Sequence, residues 1–286
     1  MDSMTLAPVI AKTGGADTGS NRFGLNWGAT PAAPETRGYA DAAGTYGFVH
    51  SWDAGAQVDG PSTRMTVFTS GCLLRCQYCH NPDTWQLRDG NRREAGEMLR
   101  IVAGFAPALR ALGGGGLTIS GGEPLVQLEF TRRLFRGARE LGLHTALDTS
   151  GFLGADADDD YLDHVSLVLL DIKSSDPATY ERVTGQALAP TLKFAERLAA
   201  LGKPVWVRFV LVPGLTDALG NIDGVARIVA PMTNVEWVEV LPFHQLGAYK
   251  WRALGLDYLL RDHVPCPPDA VARAVDRFRA LGCHAR

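Results

Sequence analysis

Three of the chain's five cysteines, Cys72, Cys76 and Cys79, fall within eight positions of the stretch GCLLRCQYCHNPDTW at 71–85. Thiolates packed this closely hold metal, and their number narrows the choice. A structural zinc ion takes four protein ligands, usually as two Cys-x-x-Cys-like pairs. Cys266 and Cys283 are distant and unpaired. His80 directly follows Cys79, where the backbone makes joint binding of one ion awkward. Cys-x-x-x-Cys-x-x-Cys, with the aromatic Tyr78 before its last cysteine, suits instead a cubane iron–sulfur cluster with one iron left without a protein ligand. An open iron is a place for a substrate or cofactor to bind.

Such a loop needs a frame. Six apolar runs have strand character: 65–69, 116–120, 144–149, 167–172, 204–212 and 235–242. Helical patterns lie between most of them. Met98, Ile101, Val102, Phe105 and Leu109 step along one helix face, as do Leu134, Ala138 and Leu141, and less cleanly Leu192, Phe194, Leu198 and Leu201. A last helix is predicted from Pro267-Pro268 to near Gly282, with Val271, Val275 and Phe278 inward. Alternating strands and helices argue for an α/β protein with a parallel sheet. At 286 residues, 46% hydrophobic, the chain can bury one large core or two smaller ones. Residues 1–42, rich in Gly, Ala, Thr, Pro and Asp, show no periodicity and read as a disordered extension; 43–286 read as the folded domain.

On that frame the chemically able residues gather at strand ends. The cysteines follow the first run, and Gly121-Gly122-Glu123-Pro124 the second. Asp148 and Thr149 end the third, Asp171 and Lys173 the fourth, and His244 follows the sixth; Arg208 lies within the fifth, before Pro213-Gly214. In parallel β/α folds the C-terminal strand ends are where sites are built. The net charge of −3 provides no basic field for nucleic acid. No apolar run approaches the roughly 18 residues of a membrane span. Asp2 stands where a signal peptide carries positive charge, so a cytoplasmic location is expected. In that reducing compartment clustered cysteines are a metal site rather than a disulfide framework.

The cysteine loop resembles that of radical S-adenosylmethionine (SAM) enzymes, and specifically of the pyruvate formate-lyase-activating family. The similarity continues through FVHSWDAGAQVDGP (48–61), SGGEPLVQLEF (120–130), LDTSGF (147–152), LVLLDIK (167–173), VWVRFVLVPGLTD (205–217) and VEVLPFHQLGAYKW (238–251). It covers about residues 46–285. The resemblance implies a partial (β/α)6 TIM-like barrel of the radical SAM type. It implies that Cys72, Cys76 and Cys79 hold a 4Fe–4S cluster whose open iron is chelated by SAM. By the same resemblance Gly121, Gly122 and Glu123 bind the SAM amino group, with Glu123 acting through backbone and side chain. Tyr78 and His80 line the adenine pocket, and Ile172, Lys173, Arg208 and His244 lie against SAM. Asp148, Asp171, Thr149 and Leu169 hold a monovalent cation (Na or K), while Lys173 and Asp59 join the cysteines as catalytic residues. The implied reaction is one-electron cleavage of SAM, fed by reduced flavodoxin or ferredoxin, with a glycyl radical formed on pyruvate formate-lyase. A monomer is expected, with no nucleic-acid or membrane partner.

Plainer roles stand beside these. Asp171 and Lys173 also suit a strand-end ion pair, His244 a satisfied core histidine, and Arg208 a partner for a core carboxylate. Gly113–Gly116 reads as a flexible helix-to-strand loop, since no Gly-Lys-Ser/Thr follows it. Trp85 and Trp251 read as packing residues, and Cys266 and Cys283 as small residues near the surface or a helix end. A structural zinc module is one cysteine short, and a non-catalytic iron–sulfur sensor leaves the GGEP, DTSG and DIK strand ends without a use. The family reads Val-Asp-Gly-Pro-Gly where this chain has Val58-Asp59-Gly60-Pro61-Ser62. Losing a glycine that tolerates positive φ implies a different turn there, and activation of a different glycyl-radical enzyme is the alternative this departure raises. The absence of cysteine between 80 and 120 favours the pyruvate formate-lyase type.

Overall fold

A computed structural model describes residues 41–286, so nearly all of the expected extension lies outside the described residues. The strands β1 (Tyr46–Ala56), β2 (Arg64–Thr69), β3 (Asn91–Glu94), β4 (Gly116–Gly121), β5 (His144–Thr149), β6 (Leu167–Asp171), β7 (Val205–Leu211) and β8 (Val235–Pro242) form one sheet in the order β3-β1-β2-β4-β5-β6-β7-β8. From β2 to β8 every pairing in that order is parallel. These six strands are the six apolar runs, and with their helices they make a partial, unclosed (β/α)6 barrel.

The sheet is mixed rather than wholly parallel, which is a correction. β1 runs antiparallel to both β2 and β3. Its register slips between Val49 and Ser51 and again between Ala54 and Ala56, so no sustained period of two marks it in the sequence. β3, with the sequence NRRE, is a short charged edge, the composition that discourages further strand pairing.

Helices α1 (Ala95–Ala111), α2 (Leu128–Glu140), α3 (Asp159–Asp163), α4 (Pro177–Thr184), α5 (Ala189–Ala200), α6 (Leu219–Val229), α7 (Ala248–Ala253) and α8 (Pro268–Ala280), with short 3₁₀ turns at Pro82–Thr84, Leu87–Asp89 and Pro124–Gln127, complete the described order. Local chemistry sets several ends. The Asp158 and Asp176 carboxylates accept from the Tyr161 and Thr179 amides at the starts of α3 and α4. Gly185, at φ 72°, ends α4. The buried stripe of α1 runs through Ala95, Met98, Val102, Ala106 and Leu109. Phe105 is about 60° from the centre of that stripe, at 100° per residue, and is 40% exposed rather than core-facing. Leu201 lies past the end of α5 and is also exposed. Cys266 and Cys283 are buried rather than near the surface, and they flank the two ends of α8, the helix-end placement expected. Among the described residues no helix is long and apolar enough to cross a membrane.

Strand alternation splits the sheet into two environments. Leu147, Val168, Leu170, Val207, Phe209, Val238 and Val240 join the main core beneath the helices. Their neighbours face into the barrel. There Ala146, Leu167, Leu169 and Trp206, with Trp237 packed on them, form a separate apolar floor. One step further along β5, β6 and β7 the inward positions become Asp148, Asp171 and Arg208, which line a cavity.

A candidate active site at the strand ends

The cysteine loop is held in place by main-chain bonds. Gly71 N and Cys72 N donate to the carbonyls of Thr84 (2.7 Å) and Trp85 (3.0 Å). Arg75 N and Gln77 N donate to the carbonyls of Thr184 and Val183 at the end of α4. Trp251 Nε1 donates to the Cys79 carbonyl at 2.9 Å, and the Trp251 ring meets Trp85 edge-on. The end of β4 docks on the same loop, with Gly122 N on Thr69 O and Glu123 N on Gly71 O, both at 2.8 Å. A Cβ at Gly122 would lie 2.3 Å from Gly71 O. Glycine is required there because two backbones touch.

Above the floor lies a cavity of about 480 Å³, within the range that small ligands occupy. Cys72, Cys76 and Cys79 line it together with Tyr78 and His80, with Gly121, Gly122 and Glu123 from the end of β4, and with Asp148 and Thr149 from β5. Asp171, Lys173, Arg208, His244 and Asp59 complete the expected set on its wall. Ile172 and Leu169 are buried away from the lining, Leu169 in the floor. The structure thus brings together residues from 59 to 244 and leaves those two behind.

The site's electrostatics are those of a cage of paired charges. Burial and the neighbouring thiols raise Cys72, and the same two causes push Cys79 up to about 12. Burial also raises Cys76. Thiols held protonated in this way lose their protons most readily when a metal takes the proton's place and supplies the missing positive charge. Burial disfavours the Lys173 ammonium, but Asp171, whose Oδ2 is 2.9 Å from Nζ, holds it charged. The strand-end ion pair and the cavity wall are therefore the same two residues.

Arg208 faces three carboxylates: Asp148 at 3.1 Å, and Asp59 and Glu239 at 3.5 Å each. Burial nevertheless pushes Asp148 up to about 6, with Arg208 opposing and Asp171 and Asp59 adding to the rise. Glu123 is fully engaged. Its Oε1 accepts from Thr149 Oγ1 (2.6 Å) and Leu125 N (3.3 Å), and its Oε2 from Ser150 N (3.0 Å) and Ser150 Oγ (2.6 Å). A carboxylate has about four lone-pair positions, so this one ties the DTSG strand end to GGEP. Its backbone is engaged as well: its N–H is spent on Gly71 O, and its carbonyl accepts from Val126 N at 3.0 Å. His80 stacks on His244, with ring centroids 4.0 Å apart and planes 25° from parallel. Burial, then the neighbouring His244, lowers His80 to about 4, so both rings present neutral flat faces near neutral pH. The Tyr78 hydroxyl is buried beside the cavity with no hydrogen-bond partner in the protein, the mark of a group awaiting a polar ligand.

Sequence reasoning missed Ser120, whose Oγ donates to Asp148 Oδ2 at 2.6 Å, and Ser150 on Glu123. It also missed Glu239 and Arg64. Arg64 is fully buried at the start of β2, donating to Thr118 Oγ1 and to the carbonyls of Pro61, Leu117 and His144. Counting in twos from Arg208 and from Asp148 would have found Glu239's neighbourhood only with the β7–β8 register, which pairs Arg208 with Glu239. The turn at Ser62 keeps the glycine-like conformation, contrary to expectation. Ser62 has φ 61°, the one positive-φ residue other than glycine among those described, and its Oγ donates to Gly113 O at 3.0 Å.

Comparison with known proteins adds three findings. The family model for the radical SAM superfamily matches residues 66–221. A pyruvate formate-lyase-activating enzyme of Staphylococcus aureus (strain USA300) is 41% identical over 239 residues, which is 81% of this chain and 94% of that one. Among solved structures, a radical SAM methyltransferase from Sphaerobacter thermophilus aligns with TM-score 0.56 at 20% identity, over 78% of this chain and 65% of its own. A spore photoproduct lyase aligns with TM-score 0.55 at 14% identity, over 82% and 78%. These two structures are similar in fold alone.

Proposed function

The chain belongs to the radical SAM superfamily and, within it, to the pyruvate formate-lyase-activating enzymes, and on that premise we propose that its cavity performs SAM-dependent glycyl-radical activation of pyruvate formate-lyase. The observation that carries the reading is the wall itself: three thiols of one loop share a cavity with ionic groups from the ends of four strands. Cys72, Cys76 and Cys79 hold a 4Fe–4S cluster, and their burial and mutual repulsion fit thiols that ionise only against iron. When bound, cluster and SAM supply one-electron cleavage of the sulfonium to methionine and a 5′-deoxyadenosyl radical, which takes a hydrogen from a glycine Cα.

The chain's own residues position and enclose. The backbone of Gly121 to Glu123 meets the SAM amino group while Glu123's carboxylate braces Thr149 and Ser150. Tyr78 and the His80–His244 pair offer an unpartnered hydroxyl and two flat faces to the adenosyl end. Asp59, Asp148 and Asp171 provide negative charge toward a sulfonium, and Arg208 and Lys173 hold those carboxylates apart and in place. A monovalent cation at Asp148 and Asp171, with the carbonyls of Thr149 and Leu169, shares both carboxylates with these two bases. Ile172 serves from behind the wall, by fixing the chain between Asp171 and Lys173. Glycine suits the target because it carries no side chain to block approach. The retained turn at Ser62 favours pyruvate formate-lyase over another glycyl-radical enzyme. Reduced flavodoxin or ferredoxin is the electron donor, and the protein acts as a cytoplasmic monomer.

The test is electron paramagnetic resonance of anaerobically reconstituted, reduced protein mixed with SAM and pyruvate formate-lyase. A glycyl-radical doublet is expected, and it should vanish with Cys76→Ala. Release of 5′-deoxyadenosine without a doublet would move the partner to another enzyme. Neither product from cluster-loaded protein would end the catalytic reading.

A further inference from the structure

On the open side of the barrel one side chain is placed to act on Arg208 at one remove. Residues 284–286 lie along the edge of β8: Val238 N donates to His284 O (2.7 Å), Arg286 N to Val238 O and Val240 N to Arg286 O (both 2.9 Å). That pairing lays the Arg286 guanidinium over the ring of Trp206 at 4.3 Å and of Trp237 at 4.8 Å, against the barrel floor. From there Nη2 and Nε donate to Glu239 Oε1 at 2.8 and 3.2 Å. Glu239's other oxygen faces Arg208 Nε at 3.5 Å. Arg208 in turn gives its closest carboxylate contact to Asp148 and also donates to the Val58 carbonyl.

We propose that Arg286 is a positioning residue for the reaction: by holding Glu239, it leaves Arg208 turned toward Asp148 and Asp59 at the wall of the SAM cavity. The distances carry the argument. Three carboxylates compete for one guanidinium, and the third is drawn off by closer bonds to a second. Glu239 is 13% exposed and has no ion-pair partner besides Arg208 and Arg286 among the described residues. A buried carboxylate stripped of its cation recruits whatever cation is near. With Arg286 gone, that cation is Arg208, and Asp148 loses its ion-pair partner and keeps only the Ser120 hydroxyl. Arg286 itself is 44% exposed, so replacing it opens no core cavity.

This inference rests on the function proposed above, and its test separates the two. SAM is titrated onto anaerobically reconstituted, unreduced protein, with binding read by calorimetry. The proteins compared are wild type, Arg286→Met, Glu239→Gln and the double variant. Arg286→Met is expected to weaken SAM binding about tenfold, within the range for residues coupled through one ionic network. Adding Glu239→Gln should restore it to within about threefold of wild type, because a neutral amide no longer draws Arg208 away. Unchanged binding in Arg286→Met would overturn the inference while leaving the function standing. A double variant as weak as the single one would also overturn it, reducing Arg286 to a cover for the two tryptophans. A wild-type chain that binds no SAM would remove the function and the inference together. Should Arg286→Met not fold, Arg286→Lys and Arg286→Gln serve in its place: the lysine should keep the affinity and the glutamine lose it, and equal affinities would overturn the proposal.

Discussion

On the outer face of β5 to β8, Leu147, Leu170, Val207 and Val240 pack into a continuous core shared with the helices. On the inner face the same strands carry Asp148, Asp171, Arg208 and Glu239, one residue away along each chain. The outer residues are interchangeable in kind, since any apolar group of matching volume excludes water there. The inner ones are particular. Each buried charge is tolerated only through a named partner, and the apolar floor of Leu167, Leu169 and Trp206 keeps those partners out of bulk water. Outer residues therefore set how firmly the barrel holds, and inner residues what it can bind.

That division can be broken by experiment. Phe135, on α2, is fully buried and meets Tyr161 edge-on at 5.8 Å. Phe135→Ala should destabilise the protein by about 3–5 kcal/mol. Denaturant melts would measure the loss, and SAM affinity of the folded protein should not move; a parallel fall in affinity would mean that the two faces are not separable. Lys173→Met should show the opposite balance. Asp171 is 23% exposed and can be solvated once its partner is gone, so the stability loss should be about 1–2 kcal/mol. SAM affinity should fall tenfold or more, about 1.4 kcal/mol per decade. Calorimetric titration beside a melt would compare the two, and a variant hurt mainly in stability would place Lys173 with the outer residues.

The smallest effect belongs to Ser62→Gly. Relief of a left-handed backbone is worth about 1–2 kcal/mol. The extra freedom of glycine in the unfolded chain costs about 0.4–1 kcal/mol, and the lost bond to Gly113 O about 0.5 kcal/mol. These terms nearly cancel, so the melting midpoint should stay within about 1 kcal/mol of wild type in equivalent free energy. A glycyl-radical yield that changes while the midpoint does not would tie the Ser62 hydroxyl to partner recognition.

Several of these features were legible in the chain as written. Five of the six parallel strands, β2 and β4 to β7, announce themselves because both faces are covered over most of their length, which leaves apolar runs; β8 is buried on one face only. β1 does not announce itself, because its bulges interrupt the alternation that would reveal it. Cys72, Gly122 and Asp171 can be read as site candidates because each sits at or just past the end of such a run, where a parallel strand must deliver its last residues. Glu239 lies inside a run and resembles any surface carboxylate on a half-covered strand. Its role comes from Arg208 and Arg286, which are 31 and 47 residues away in sequence.

Sequence alone therefore determined the chemistry available to this protein: three thiols at cluster spacing, glycines where two backbones must touch, and acids and bases at the ends of strands. These are local facts, carried by residue type and by periods of two and 3.6. Only the tertiary structure decided which charges share a partner, that Glu123 spends its carboxylate on Thr149 and Ser150, and that Arg286 closes over the barrel floor. The reason is geometric. Which side chains meet inside a half-barrel depends on the register between strands, and a shift of one residue would exchange the inner set for the outer one.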